Sequence, residues 1–243
     1  MKIGVFGDVH SNLAALEAVL AAMKEADCHK LICTGDVIGY GPSPRECLQR
    51  VRDSGAVCVL GNHDDYVTDM FDQHIQKLDA DTRQLVEWTR TQLAMDELKW
   101  LATHPLHTVV DDATVLHGML GPHPWNYIIN PQQLEIHFQH QKTALAFCGH
   151  SHLPLYGFQK PGQPAVLDFL KTHVIPADVK VLVNPGAVGQ PRDHDSRAAF
   201  CIWDTATHSI HPKRVPYDLA DTQARIRAAG LPERFAARLE LGK

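Results

Sequence analysis

The sequence predicts an α/β fold in which two β-sheets pack face to face. Three observations predict it. Short apolar runs alternate with helix-spaced segments over roughly the first 60 residues. From Pro154 onward the pattern changes to short strands separated by Pro and Gly, and no linker, internal repeat or low-complexity tract divides the 243 residues. The alternation predicts parallel strands joined by right-handed crossovers. The later stretch predicts an antiparallel meander. Without a linker, the second sheet should pack on the first within one domain, residues 1–243.

Residues 2–7 are an apolar run ending at Asp8, read as a buried strand. Ser11 or Asn12 can cap the next segment, where Leu13, Leu16, Val19, Leu20 and Met23 recur at helical spacing. Residues 30–34 form a second strand, 44–53 a helix with Cys47, Leu48 and Val51 on one face, and 56–60 a third strand. Residues 66–104 hold few glycines and prolines and read as helical. Met70, Phe71, Ile75, Leu85, Trp88, Leu93, Leu98, Trp100 and Leu101 supply their apolar faces. This stretch is either a helical insert capping a site or a layer packed on one side of the sandwich. Residues 106–110 and 113–116 read as a hairpin around Asp111-Asp112, 130–141 as a helix, and 143–148 as a buried strand. The meander strands are 155–158, 165–170, 179–184, 198–204 and 210–215, and helices at 218–230 and 232–241 close the chain.

The net charge of −5 leaves no basic surface that advertises nucleic acid. The six cysteines, Cys28, Cys33, Cys47, Cys58, Cys148 and Cys201, form no C-x-x-C pair and read as reduced, partly buried thiols. Neither a signal peptide nor an apolar run of membrane-spanning length is visible. The expectation is a cytoplasmic, reducing setting.

Five short clusters carry the chemistry, each at the end of an expected strand: Asp8-Val9-His10, Gly35-Asp36, Gly61-Asn62-His63-Asp64, His117-Gly118 and Gly149-His150-Ser151-His152. In open α/β sheets, ligands bind beyond the carboxyl ends of strands. Mixed Asp, Asn and His donors suit Mn, Fe, Zn or Ni better than calcium or magnesium. The Asp-x-His and His-x-His spacings aim two side chains at one region only from extended or turning backbone, since i and i+2 diverge on a helix. An aspartate can bridge two ions, and Asp36 is the best candidate because it lies between the other early clusters.

In this order the motifs resemble the calcineurin-like metallophosphoesterase family. Asn184-Pro185-Gly186 and Gln190-Pro191-Arg192 also resemble a segment of its smaller bacterial and archaeal members. The resemblance implies a four-layer α/β/β/α sandwich of two mixed sheets flanked by helices. It implies one metal on Asp8, His10, Asp36 and His152, and a second on Asp36, Asn62, His117 and His150. It places His63 near the leaving-group oxygen as an acid or electrostatic clamp. Asp64 then either orients His63 through a carboxylate–imidazole hydrogen bond or caps the helix that follows.

Two ions would lower the pKa of a bridging water and neutralise the charge that develops on phosphorus. The expected function is hydrolysis of a small or nucleotide-like phosphodiester by a metal-bridging hydroxide. Protein-phosphatase members read Gly-Asp-x-Val-Asp-Arg-Gly and Arg-Gly-Asn-His-Glu. This chain reads Gly35-Asp36-Val37-Ile38-Gly39-Tyr40-Gly41 and Leu60-Gly61-Asn62-His63-Asp64. Both arginines that clamp a phosphate dianion are missing, which favours diesters unless Arg192 supplies a clamp. A broad phosphomonoesterase is the alternative, and a non-catalytic interaction scaffold is the rival of another class. Tyr40 follows Asp36 and is expected either at the substrate mouth or in a simple connection. Trp125, Asn126 and Tyr127 either stack on a base or pack. The eleven histidines outside the clusters, among them His137, read as surface or satisfied core residues, with His123 and His194 nearest the motif segments.

Overall fold

The computed structural model of the chain describes residues 1–69 and 75–243. Met70 and Phe71, expected on a helical face, lie outside the described residues, as does His74. Twelve strands form two six-stranded sheets, with eight α-helices among the described residues around them. The first sheet runs β3 (Val57–Cys58), β2 (Lys30–Cys33), β1 (Lys2–Phe6), β11 (Ala198–Asp204), β12 (Ser209–Val215), β9 (His173–Val174). The second runs β4 (His107–Val110), β5 (Ala113–Leu116), β6 (Leu145–Phe147), β10 (Lys180–Pro185), β7 (Pro154–Gln159), β8 (Val166–Phe169). The helices are α1 (Leu13–Glu25), α2 (Pro44–Asp53), α3 (Asn62–Thr68), α4 (Ala80–Gln92), α5 (Met95–Ala102), α6 (Pro131–His140), α7 (Leu219–Ala228) and α8 (Glu233–Leu241).

Strand alternation sorts the apolar residues into layers. Ile3 and Val5 of β1, Leu145 and Phe147 of β6, and Val181 and Val183 of β10 meet between the sheets with Cys201 and Trp203 of β11. Phe6 faces the other way, into a cluster with Leu16, Val19 and Met23 of α1 and Leu48 and Val51 of α2. Ala146 and Leu182 point out from the second sheet onto Leu134 and Phe138 of α6. The result is a four-layer α/β/β/α sandwich. Gly4 lets α1 lie close to β1, because a Cβ there would stand 2.7 Å from the Met23 sulfur.

The strands β1, β2 and β3 are parallel, as the alternation predicts. β3 is shorter than the 56–60 run, since the Leu60 N–H leaves the ladder for the Pro105 carbonyl at 2.9 Å. The meander does not build a sheet by itself. β11 joins the first sheet antiparallel to β1, β12 pairs antiparallel with β11, and β10 inserts parallel to β6. β10 and β11 are buried along almost their whole length, so each needs partners on both edges and cover on both faces. Pro and Gly mark where strands stop, not which strands they join. The β4–β5 hairpin turns on Asp111 and Asp112, both left-handed with φ 46° and 66°, which is a hairpin turn built without glycine.

Between α3 and β4, Val86, Leu93, Leu98 and Leu101 join the cluster under α1 and α2, while Leu85 packs with Ile226, Phe235 and Leu239 of the closing helices. Arg234 of α8 pairs with Asp79 and Asp81 at the start of α4. All six cysteines are free thiols, and five are buried. No helix among the described residues is long and apolar enough to cross a membrane.

His137 of α6 is a satisfied core histidine. Its Nδ1 accepts the Leu120 N–H at 3.2 Å and its Nε2–H donates to Gln141 Oε1 at 2.9 Å. Gln141 in turn donates to the Thr143 and Val181 carbonyls, tying α6 to β10. Burial pushes the His137 pKa down to about 4, against 6.5 for an ordinary histidine. The folded value is below the unfolded one, so this neutral ring contributes fully above pH 6.5, and the contribution is lost as pH falls toward 4. The loss is about 3 kcal/mol at roughly 1.4 kcal/mol per pH unit. Urea unfolding of wild type and His137→Gln between pH 6.5 and 4 should therefore show a shallower acid decline in the variant. Parallel declines would contradict this account.

Candidate metal centre

The parallel strands β1, β2 and β3, and β5 with β6, all end at the same edge of the sandwich. Asp8 and His10 follow β1, Asp36 follows β2, Asn62, His63 and Asp64 open α3, His117 follows β5, and His150 and His152 follow β6. None of these nine residues is more than 6% exposed.

Two groups of donors converge there. Asp8, His10, Asp36 and His152 form one, and Asp36, His117 and His150 the other, each with its ligand atoms within 4.8 Å of one another. Asp36 belongs to both. Asn62 Oδ1 lies 3.0 Å from His117 Nε2 and so joins the second group. Asp36 is fixed by the backbone N–H of His63, which donates to Oδ1 at 2.8 Å. Its Oδ2 lies 3.2 Å from His117 Nε2 and 3.6 Å from His10 Nε2. The Asp8 carboxylate accepts the His150 N–H at 3.1 Å.

Each imidazole turns one nitrogen to a backbone carbonyl. His10 Nδ1 meets Ile38 O at 3.2 Å, His117 Nδ1 meets Thr34 O at 2.8 Å, and His152 Nδ1 meets Gln190 O at 2.6 Å. His150 uses the opposite nitrogen, with Nε2 at 2.8 Å from Trp125 O. A carbonyl only accepts, so these nitrogens carry the ring protons. The inward nitrogens of the neutral rings are therefore lone pairs. His10 Nε2 and His152 Nε2 stand 3.0 Å apart with neither able to donate, an arrangement stable only around a cation or an added proton. The donor set thus fits a divalent ion of the transition series.

The field of the protein alone agrees. Burial would raise the Asp36 pKa, but His117, His63 and His10 outweigh it and hold the carboxyl below the ordinary range. Burial would lower His117, yet Asp36 above all lifts it to about 9. Burial raises Asp8 to about 7 and drives His10 and His152 well below the usual histidine value.

The backbone at these tips is unusual. Asp8, His10, Asp36, His150 and His152 all have positive φ, between 48° and 69°. A left-handed non-glycine residue costs on the order of 1–2 kcal/mol. Here that conformation turns residues i and i+2 inward together. Gly35 and Gly61 let two tips touch: a Cβ on Gly61 would stand 2.1 Å from Asp36 Oδ1, and one on Gly35 would stand 2.8 Å from the Gly61 nitrogen.

The expected hydrogen bond from His63 to Asp64 is not formed. The Asp64 carboxylate accepts the N–H groups of Val37, Ile38 and Gly61 at 3.3, 3.2 and 3.1 Å, which caps α3 and braces the loop after Asp36. Its lone pairs are taken by backbone, and His63 Nδ1 is buried without a partner. The His63 ring instead packs at 4.5 Å from Tyr40 and edge-on to His10 at 5.0 Å. Tyr40 also touches His10, at 4.6 Å. Arg192 donates to Gln190 Oε1 at 3.2 Å, and its charge is felt at Asp8, His10, His63 and His152. Tyr127 stacks on His150 at 4.1 Å, Trp125 lies 6.0 Å from His117, and the Asn126 N–H is spent on the His123 carbonyl at 3.1 Å. Sequence reasoning missed Arg238 of α8, whose guanidinium lies 5.5 Å over the Tyr40 ring, and Tyr66, 5.6 Å from His63. Arg238 stands outside every motif, so only the docking of α8 reveals it.

A family model described as the calcineurin-like phosphoesterase superfamily domain matches residues 1–208. An uncharacterized protein of Methanocaldococcus jannaschii is 34% identical over 99% of this chain and 98% of its own length. A symmetrical bis(5'-nucleosyl)-tetraphosphatase of Yersinia enterocolitica is 32% identical over 43% of this chain and 41% of its own. Among solved structures, a metallophosphoesterase from Sphaerobacter thermophilus superposes with a TM-score of 0.87 at 35% identity, with both chains covered in full. A hypothetical protein of Pyrococcus horikoshii gives 0.80 at 20% identity, covering 100% of this chain and 98% of its own. With its strand-tip cluster of aspartate and histidine, this chain belongs to the calcineurin-like phosphoesterase superfamily.

Proposed function

We propose that the protein is a phosphodiesterase that holds two divalent transition ions and hydrolyses a small or nucleotide-like diester. The observation that carries this reading is the set of four imidazoles, each with one nitrogen on a backbone carbonyl and the other turned toward Asp8 and Asp36. One ion, of manganese, iron, zinc or nickel, would sit on Asp8, His10, Asp36 and His152, and another on Asp36, Asn62, His117 and His150. Bound there, the ions would supply a hydroxide nucleophile near neutral pH and neutralise charge on the phosphoryl oxygens.

The remaining work falls to the chain. Asp36, anchored by the His63 N–H, keeps its second oxygen between His10 and His117. Ile38, Thr34, Gln190 and Trp125 fix the ring orientations through their carbonyls. His63, packed between Tyr40 and His10, would offer an N–H to the leaving oxygen. Asp64 keeps α3 and the loop after Asp36 in register, and so positions His63 through the backbone.

Two features support diesters. The paired arginines that clamp a dianion in protein phosphatases are absent from residues 35–41 and 60–64. Tyr127 and Trp125 offer aromatic faces beside His150 and His117 for a base. The likeness to a bis(5'-nucleosyl)-tetraphosphatase supports a nucleotide-like group. Arg192 favours a second reading, a phosphomonoesterase, because its charge reaches His63 and His152.

With manganese, diesters such as bis(p-nitrophenyl) phosphate should exceed the matching monoesters in kcat/KM, and the reverse ranking would favour the second reading. His63→Ala should keep its metal by elemental analysis while turnover falls roughly 10²–10⁴-fold. Full turnover would remove His63 from the reaction. Gly61→Ala drives a Cβ into Asp36, so metal content and turnover should fall together, turnover by roughly 10²-fold. A fully loaded, fully active variant would show that the contact between the two tips is dispensable.

A further inference from the structure

Two thiols meet beneath the metal-bearing tips of the first sheet. Cys33 ends β2 and Cys58 ends β3. The parallel ladder pairs them directly, and the Val59 N–H donates to the Cys33 carbonyl at 3.2 Å. Residues in register on neighbouring strands point to the same face, and both side chains lie in the cluster under α1 and α2. Paired strands stand about 4.8 Å apart, and a disulfide spans Cα separations of roughly 4.4–6.8 Å. The two sulfurs are therefore placed to bond without either strand unfolding. Of the six free cysteines, only these two are strand partners.

Their surroundings divide the roles. Cys33 is fully buried, whereas Cys58 is 8% exposed on a two-residue edge strand. Such an edge opens at low cost and admits a small oxidant. Just beyond Cys58, the Leu60 N–H binds the Pro105 carbonyl and draws the His104 segment against β3. The His104 ring stands edge-on to Trp100 at 4.4 Å, and its Nε2 is buried without a partner. The Cys33 S–H, and then His104, hold the Cys58 thiol below the ordinary range despite burial, while the same sulfur contact holds Cys33 well above it. A thiolate-forming cysteine beside a resolving thiol is the arrangement of a redox-sensing pair.

The pair also sits where strand spacing matters. Cys33 precedes Asp36 by three residues and Cys58 precedes Asn62 by four. Their tips touch without slack, since a Cβ on Gly35 would stand 2.8 Å from the Gly61 nitrogen. A disulfide holds its Cβ atoms at about 3.8 Å, closer than paired strands stand. We propose that Cys33 and Cys58 form a peroxide-responsive pair whose disulfide draws β2 and β3 together and displaces Asp36 and Asn62 from the positions that hold metal. This uses the metal centre but not the identity of the substrate. The Cys58 thiolate attacks one peroxide oxygen, the S–O bond forms, the O–O bond breaks, and the departing hydroxide takes a proton to become water. Cys58 is thereby oxidised to a sulfenic acid and the peroxide is reduced. The Cys33 sulfur then gives up its proton and attacks the Cys58 sulfur. The S–S bond forms, the S–O bond breaks, and a second water leaves.

The test treats zinc-loaded protein with hydrogen peroxide, because zinc has no redox chemistry of its own. Catalase stops the reaction, free thiols are blocked, and peptides are mapped by mass. The expected product is a linked Cys33–Cys58 peptide, two hydrogens lighter than the dithiol. Zinc should pass to EDTA more readily and turnover of bis(p-nitrophenyl) phosphate should fall roughly tenfold, and dithiothreitol should restore both. Cys33→Ser, with folding checked by a melting curve, should end instead at a Cys58 sulfinic acid that dithiothreitol does not reverse. Cys58→Ser should keep its zinc and its turnover after peroxide. Peroxide consumed at other cysteines while this pair stays reduced overturns the proposal. So do equal losses in folded Cys58→Ser, or a linked pair with zinc retention and turnover both unchanged. If untreated protein holds zinc but turns over no diester, the substrate reading fails, and zinc retention alone decides the switch.

Discussion

The structure depends on a confrontation of lone pairs. Four imidazoles each commit one ring N–H to the carbonyls of Ile38, Thr34, Gln190 and Trp125, and those of His10, His150 and His152, which burial keeps neutral, turn a lone pair toward one another and two carboxylates inside a buried pocket. In the protein alone this is unfavourable, most plainly where His10 and His152 meet nitrogen to nitrogen at 3.0 Å. A divalent ion reverses the sign of the interaction, because converging lone pairs become ligands.

The rest of the sandwich holds those groups in place. Parallel strands bring five tips to one edge, and the two apolar layers on either side of the first sheet keep them there. The tips adopt left-handed backbone at five donor residues, and packed sheets can bear such strain where an isolated loop would relax. Asp64 illustrates the division of labour. It never touches His63, yet by accepting three backbone N–H groups it fixes both the loop after Asp36 and the start of α3. Function here is assembled from backbone geometry as much as from side-chain chemistry.

Much of this was legible in the sequence because the donors are polar residues that interrupt apolar runs at strand ends. Asp8, Asp36 and His117 each end such a run, so strand periodicity found their places and their residue types named the chemistry. The parallel half of the first sheet was legible for the same reason. Partner choice was not. β10 and β11 read as meander strands because local punctuation carries no information about which distant edge a strand completes. β9 is two residues long, too short for any period. The Asp64–His63 bond was a sensible expectation from adjacent residue types, but the carboxylate lies where the backbone turns back on it. Arg238 was invisible for a related reason: its meaning comes from the docking of Phe235 and Leu239 beside Tyr40, a contact between chain ends about 200 residues apart.

The central claim is that the converging donors exist to hold a cation pair sharing Asp36. A crystal structure of the manganese-loaded protein, with anomalous difference maps at the manganese edge, tests it most directly. The account predicts two peaks, roughly 3.5–4 Å apart, with Asp36 between them, His10 and His152 on one and His117 and His150 on the other. A single peak away from Asp36, or none, with His10 and His152 still face to face, would contradict it.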